Sequence, residues 1–170
     1  LLLCAAWERY VEMVLAEGAQ ITANRLPDIN GLPQAVRQKV TSHANNNSTP
    51  WTAAQLNTPT WVQIYADAIK ARVDKLHTPK HHKLKPLFED FLAIPDIGTT
   101  WSKGSAPIDD FVVLRGEVAH RGGQSRYIRF GQLVDLEVEV KRYVKETDNF
   151  LSDHLRTIVN PPRRPWNRIA

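Results

Sequence analysis

The chain has 170 residues, 42% of them hydrophobic and 24% charged, which is typical of a soluble globular protein with one core. Its single cysteine, Cys4, excludes an internal disulfide and a cysteine cluster for zinc, and it favours a reducing compartment, the cytoplasm. The opening apolar run, residues 1–6, is too short to span a bilayer and lacks the basic front of a signal peptide, so we predict no membrane segment.

The net charge of +4 is located at the C-terminus. Residues 156–170 contain four arginines and no acid, so residues 1–155 sum to zero. The global charge therefore says little about nucleic-acid binding, and any binding surface on the body must be local. We divide the chain into a helical domain, residues 1–155, and a basic, proline-rich tail, residues 156–170, which we expect to be flexible and solvated from about Asn160.

Helical spacing of apolar residues runs through the first half of the chain. A first amphipathic helix is expected to end near Gly18, and a short helix is expected over residues 34–42. Thr58 and Pro59 resemble an N-cap and the first residue of a third helix. The inward face of that helix would carry Trp61, Tyr65, Ala68, Ile69, Val73 and Leu76.

Prolines mark the elements of the second half. Segment 77–86 interrupts the helical pattern, and Pro86 is expected to open a helix over residues 86–94. Pro107 is expected to open the next helix, which two glycines stop after residue 121. A last long helix carries a packing seam at alternating spacings of three and four, formed by Leu133, Leu136, Val140, Tyr143, Thr147 and Phe150.

Residues 127–130 are the only candidate strand, and it is short. The pattern as a whole therefore predicts an all-α fold, a helical bundle of four to five main helices.

Arg115 lies at the centre of the apolar face of the helix that begins at Pro107. At ~100° per residue, four apolar residues flank it within about 60° on either side, namely Phe111, Val112, Val118 and Ala119. The acids of this helix fall elsewhere on the wheel. A charge directed into a bundle or an interface without a partner costs several kcal/mol, so the guanidinium needs an anion from another helix or from a ligand.

His120 follows at about +140° on the same wheel and ~7.5 Å further along the axis. Gly116 lies between the two residues and leaves an open notch, although glycine inside a helix costs roughly 1 kcal/mol relative to alanine. An arginine, a gap and a histidine near the end of a helix suit phosphate chemistry. The alternative is structural: Arg115 pairs with an acid of another helix, and His120 only terminates its own.

Three segments resemble the HEPN superfamily, and more closely its RiboL-PSP-like branch. They are AWERYVE, LFEDFLAIPDIGTTW and LRGEVAHRGG, and in this order they span most of residues 6–155. The third contains Arg-x4-His, the motif of the superfamily. The resemblance implies a metal-independent endoribonuclease of a prokaryotic defence or toxin system, with no cofactor.

By the same resemblance, His120 is the general acid or base at the ribose 2′-hydroxyl or the leaving oxygen, and Arg115 holds the scissile phosphate. The product would be a 2′,3′-cyclic phosphate. The resemblance also implies a homodimer whose two motifs face one cleft, with an antitoxin or defence protein as a further partner. Two features depart from the family: Gly116 stands where many members have a polar residue, and Gly122 replaces the tyrosine of Arg-x4-His-x-Tyr.

Other basic residues near the motif are candidates for contacts to an RNA backbone: Lys103, Arg121, Arg126 and Arg129. Ordinary surface charge is an equally good interpretation of them. We predict no metal site, because the Thr78-Pro79 pair prevents one helix from aligning His77 with His81. A second hypothesis for the function is a non-catalytic bundle that binds RNA or a protein partner, which Gly116 and the neutral body favour.

Overall fold

The computed structural model describes residues 2–46, 51–121, 129–159 and 162–170. These residues form seven α-helices: α1 (Leu2–Asn24), α2 (Gln34–Asn46), α3 (Trp51–Gln55), α4 (Trp61–Val73), α5 (His81–Leu92), α6 (Ala106–Arg121) and α7 (Phe130–Ile158). Two short 3₁₀ helices, Ile29–Gly31 and Ile97–Thr100, lie in the connections. The described residues contain no strand, so the predicted all-α bundle is confirmed. None of their helices is both long and apolar enough to cross a membrane.

Helix α1 is the centre of the bundle and contacts α4, α5, α6 and α7. We expected it to end near Gly18, but it continues to Asn24. Gly18 is a packing residue, because a Cβ there would lie 3.4 Å from the side chains of Leu92 and Leu155. Gly18 is buried between these helices, and tertiary packing therefore overrides its weak helix propensity.

The start of α5 also differs from the prediction. We expected Pro86 to open the helix, but α5 begins at His81 and contains Pro86 within it. A carboxylate oxygen of Asp109, in the first turn of α6, accepts the backbone N–H of His81 at 2.7 Å and so caps α5 from another helix. A long-range cap of this kind leaves no signal in the local sequence.

Smaller differences occur in the first half. Helix α2 is longer than expected, and α3 was not predicted. Helix α4 begins at Trp61, two residues after Pro59, because Thr58 and Pro59 form a turn in which the Thr58 hydroxyl accepts the N–H of Thr60 at 3.3 Å. Of the candidate strand, residues 127 and 128 lie outside the described ranges, while Arg129 and Phe130 begin α7.

An aromatic cluster joins α1, α7 and the loop before α6. The Trp7, Trp101 and Tyr143 rings meet edge to face at centroid distances of 5.1 to 6.3 Å, and all three are buried. Their polar atoms are satisfied: Trp7 donates to the carbonyl of Pro79, and Tyr143 donates to that of Gly104. The cluster therefore fixes α1 against the segment that leads into α6.

The C-terminal residues 162–170 are mostly exposed to solvent, as expected for the tail, but hydrogen bonds hold them against the bundle. They run back along α7: the Ser152 hydroxyl donates to the carbonyl of Trp166 at 2.7 Å, and the Trp166 indole donates to that of Asp148 at 3.2 Å. The Asn149 amide clamps Ile169, accepting its N–H at 2.7 Å and donating to its carbonyl at 3.0 Å. These hydrogen bonds hold the segment against the bundle.

Candidate active site

Helix α6 places Arg115 at the edge of the core. Phe111 and Val112, which flank it on the wheel, are both buried, whereas Val113 on the other side of the helix is exposed. Arg115 itself is half-buried. Two of its four neighbours on the wheel are thus buried, as the pattern predicts, and the inward direction of the Arg115 side chain stays a prediction.

Arg115 forms no hydrogen bond or ion pair with any side chain in the part of the chain that the structure describes. The charge of Arg115 acts on Cys4 of α1. Burial raises the pKa of the Cys4 thiol, and the nearby positive charge of Arg115 opposes this rise. Because the guanidinium is half-buried and has no carboxylate partner in this part of the chain, it is suited to receive an anionic ligand. Single-sequence analysis could not have found Cys4 as its neighbour, since no local pattern links residues so far apart.

His120 lies in the last turn of α6, five residues after Arg115. The helical backbone confirms the rotation of about 140° and the rise of ~7.5 Å between the two residues. The side chain of His120 lies outside the described part of the chain, and its role remains a prediction.

Gly116 adjoins Arg115 on α6 and faces open space, because a Cβ built there meets no atom within 4 Å. Packing therefore does not require glycine at this position. We expect Gly116→Ala to raise the free energy of unfolding by about 0.5–1 kcal/mol, because alanine restricts the unfolded chain and favours the helix. Urea denaturation followed by circular dichroism measures the change. An unchanged or lower stability would contradict the open notch beside Arg115.

Of the four residues predicted to contact RNA, the structure describes the side chains of two, Lys103 and Arg129. Lys103 forms an ion pair with Glu139 of α7, and this contact, together with Arg142, holds the pKa of the Glu139 carboxyl below its usual range. The charge of Lys103 is thus already balanced. Arg129 is exposed at the N-cap of α7, and Arg121 is the last residue of α6, but its side chain lies outside the described part, as does the whole of Arg126. Their contact with RNA stays a prediction.

The histidines considered for a metal site do not share one helix. His77 precedes α5, whereas the His81 ring is paired with Asp96 at 2.7 Å, and Asp96 also contacts Lys85. The His81 contact, followed by those of Lys85 and the Gly98 N–H, lowers the pKa of the Asp96 carboxyl. This group links α5 to the turn before α6 and thus has a structural role.

Comparison with known proteins agrees with the all-α fold. The family model described as RiboL-PSP-HEPN matches residues 1–153, a range that includes α1 to α6 and most of α7. No curated protein and no solved structure matches the chain. Because the family model covers well over half of the 170 residues, the resemblance seen in the three sequence segments is confirmed, and the chain belongs to the RiboL-PSP-HEPN family.

Proposed function

We propose that this protein is a metal-independent endoribonuclease whose reaction is carried out by Arg115 and His120. The observation that carries the proposal is the half-buried Arg115 on α6 of a HEPN domain, which has no carboxylate partner among the described residues and lies one and a half turns before a histidine. An RNA phosphodiester supplies the anion that the described part of the chain does not provide to Arg115.

The proposed reaction is an internal transfer of the phosphoryl group. His120, as general base, takes the proton of a ribose 2′-hydroxyl, and the 2′-oxygen attacks the adjacent phosphorus. The bond from phosphorus to the 5′-oxygen breaks, and that oxygen leaves with a proton supplied by an imidazole. Arg115 stabilises the charge that develops on the non-bridging phosphate oxygens. The products are a 2′,3′-cyclic phosphate and a 5′-hydroxyl.

The proposed active form is a homodimer in which two α6 helices face one cleft. One chain supplies a single motif, and two copies would supply two imidazoles, one as base and one as acid. Two copies of Arg115 would also form a local positive site on a body that is otherwise neutral, which suits an RNA backbone. HEPN domains often bind RNA and dimerise, and a role in prokaryotic defence or toxin systems, restrained by a partner protein, belongs to the same proposal.

The second candidate is a bundle that binds RNA or a protein partner without cutting it. One observation favours this candidate. The residue after Arg115 is Gly116, which faces open space and adds no hydrogen-bonding group to the site. Binding of RNA through Arg115, or of a protein partner, would then be the whole function.

Incubation of the purified full chain with RNA in EDTA separates these candidates. We expect fragments that carry 2′,3′-cyclic phosphate and 5′-hydroxyl ends, because an imidazole and an arginine need no metal for this reaction. Denaturing gels and mass spectrometry of the fragments give the readout. RNA binding without cleavage would support the second candidate, and fragments with 5′-phosphate ends would contradict the proposed chemistry.

A further inference from the structure

Four lysines lie close together in the sequence, in the connection between α4 and α5 and in the first half of α5. They are Lys75, Lys80, Lys83 and Lys85, and residues 75–85 contain no acid. Because residues 1–155 have no net charge, the +4 of this segment is balanced by −4 spread over the rest of the body. The lysine cluster, as we name these four residues, is therefore a local excess of positive charge of the kind that binds a polyanion.

Lys85 and Lys83 have partners that fix the local structure. Lys85 forms an ion pair with Asp96 at 3.2 Å, which balances its charge. The ammonium group of Lys83 donates to the Thr78 hydroxyl at 2.7 Å and to the carbonyl of His77. Both acceptors are neutral, so these bonds hold the turn before α5 in place without neutralising the charge of Lys83.

Lys75 and Lys80 make no side-chain hydrogen bond or ion pair with any residue that the structure describes. Lys75 is exposed, and Lys80 is half-buried at the N-cap of α5, where its side chain caps no backbone group. The first turn of α5 contains no acid, and the positive end of a helix dipole disfavours a lysine. Helix stability therefore does not explain a lysine at this position, and both ammonium groups are available to an anionic ligand.

The turn that carries Lys80 is fixed to the core. The Pro79 carbonyl accepts the indole N–H of buried Trp7 at 3.2 Å, and the Lys80 N–H donates to the Thr78 carbonyl at 2.8 Å. Thr78 has a φ of 60°, a left-handed conformation that is rare for a β-branched residue. A backbone held in this way loses little conformational freedom when its side chains bind a ligand.

Two helices place the lysine cluster beside the Arg115 region. On α6, Asp109 accepts the backbone N–H of His81 at 2.7 Å, and Arg115 follows six residues later, ~9 Å along the helix axis. On α1, Cys4 lies near Arg115, whereas Trp7, one turn later, contacts the turn before α5. A single RNA strand whose phosphate is bound by Arg115 can therefore continue to the lysine cluster.

We propose that the lysine cluster is a second RNA-binding surface, in which Lys75 and Lys80 bind phosphates of the strand that flanks the scissile bond. The inference rests on the proposed function and adds to it the surface that holds the substrate outside the Arg115/His120 site. Contacts to phosphate carry no base information, so this surface accepts single-stranded RNA of any sequence.

The double variant K75A/K80A tests the proposal, because neither side chain has a bond to lose within the described ranges. A labelled single-stranded RNA with 2′-O-methyl riboses cannot be cleaved by its 2′-oxygens, and fluorescence anisotropy measures its affinity at several salt concentrations. We expect the affinity to fall roughly tenfold. The slope of log Kd against log salt should fall by about 1.4, because each phosphate contact on a single strand contributes about 0.7.

The double variant R156A/R163A is the matched control, because it removes the same charge from the other end of the bundle. Both arginines are exposed, and the carbonyl of Arg163 accepts a hydrogen bond from Arg25 just beyond the end of α1. That contact lies about 25 Å along α1 from Trp7. We expect this variant to bind RNA nearly as well as the parent chain, with an unchanged salt slope. Circular dichroism checks the fold of both variants.

Cleavage of an unmodified RNA is measured in parallel. K75A/K80A should raise KM roughly tenfold and leave kcat nearly unchanged, because neither lysine touches the reacting phosphate. Unaltered binding in K75A/K80A, or equal losses in both double variants, overturns the lysine cluster as an RNA-binding surface and leaves the proposed function intact if the parent chain cleaves RNA. Binding that depends on the lysines without any cleavage supports the inference and overturns the nuclease. A parent chain that binds no RNA overturns both.

Discussion

His120→Ala is expected to lower the rate of RNA cleavage by at least about a hundredfold, because no other group on α6 can exchange a proton near neutral pH. Arg115→Ala is expected to lower it by roughly 10²–10³-fold through the loss of phosphate stabilisation. Single-turnover cleavage of a labelled RNA in EDTA measures both effects. The double variant should be little worse than His120→Ala, since the two residues act on one transition state.

Measurements of stability distinguish a catalytic role of Arg115 from a role in holding the fold together. Arg115 has no carboxylate partner in the described ranges, so Arg115→Ala breaks no ion pair there and should leave the urea midpoint unchanged or raise it. His82→Ala on the exposed surface of α5 is the control for a histidine outside the site. A large loss of stability in Arg115→Ala, or an unaltered rate in His120→Ala, would contradict the assigned roles.

The pH dependence gives an independent check on the imidazole. Cleavage by the parent chain should follow an ionisation between about pH 5 and pH 8, and this ionisation should be absent from the residual activity of His120→Ala.

Trp7→Ala is expected to lower the free energy of unfolding by about 3–5 kcal/mol. The side chain is 1% exposed and contacts Tyr10, Trp101 and Tyr143, so its removal leaves a cavity at the junction of α1 and α7. The loss also removes the hydrogen bond to the Pro79 carbonyl. Thermal and urea unfolding of the full chain measure the change.

Two comparisons refine this prediction. Trp7→Phe keeps an aromatic ring but not the indole N–H, and it should cost less than Trp7→Ala. Trp51→Ala is the matched control, because Trp51 is exposed and contributes little to the core. Equal effects of Trp51→Ala and Trp7→Ala would show that the aromatic cluster does not hold α1 in place.

The sequence was sufficient for the features that depend on local periodicity. The helix that carries Arg115 and the long last helix follow from apolar spacing and from proline positions, and the structure confirms them. The features that the sequence did not predict depend on contacts between residues far apart in the chain. Asp109 caps α5, and Leu92 and Leu155 pack against Gly18 within a continuous α1. Neither contact can be inferred from neighbouring residues in the sequence.

The site itself was only partly predictable. The helical wheel correctly predicted that Phe111 and Val112, on either side of Arg115, are buried. The relative directions of these three residues follow from the geometry of a single helix. The ion pair between Lys103 and Glu139 was not foreseen, since it joins a turn to a separate helix. Charge alone made Lys103 resemble the other basic candidates, and only the tertiary partner distinguishes it.

The clamp on Ile169 shows that the packed structure extends beyond the family match. That match stops at residue 153, yet Leu155 and Val159 are buried beyond it, and the Asn149 amide holds the backbone of Ile169. A fragment cut at the match boundary would lose these partners and leave the Asp148 and Asn149 positions uncovered. A tag or fusion at the last residues would therefore disturb the contacts of Trp166 and Ile169 with α7.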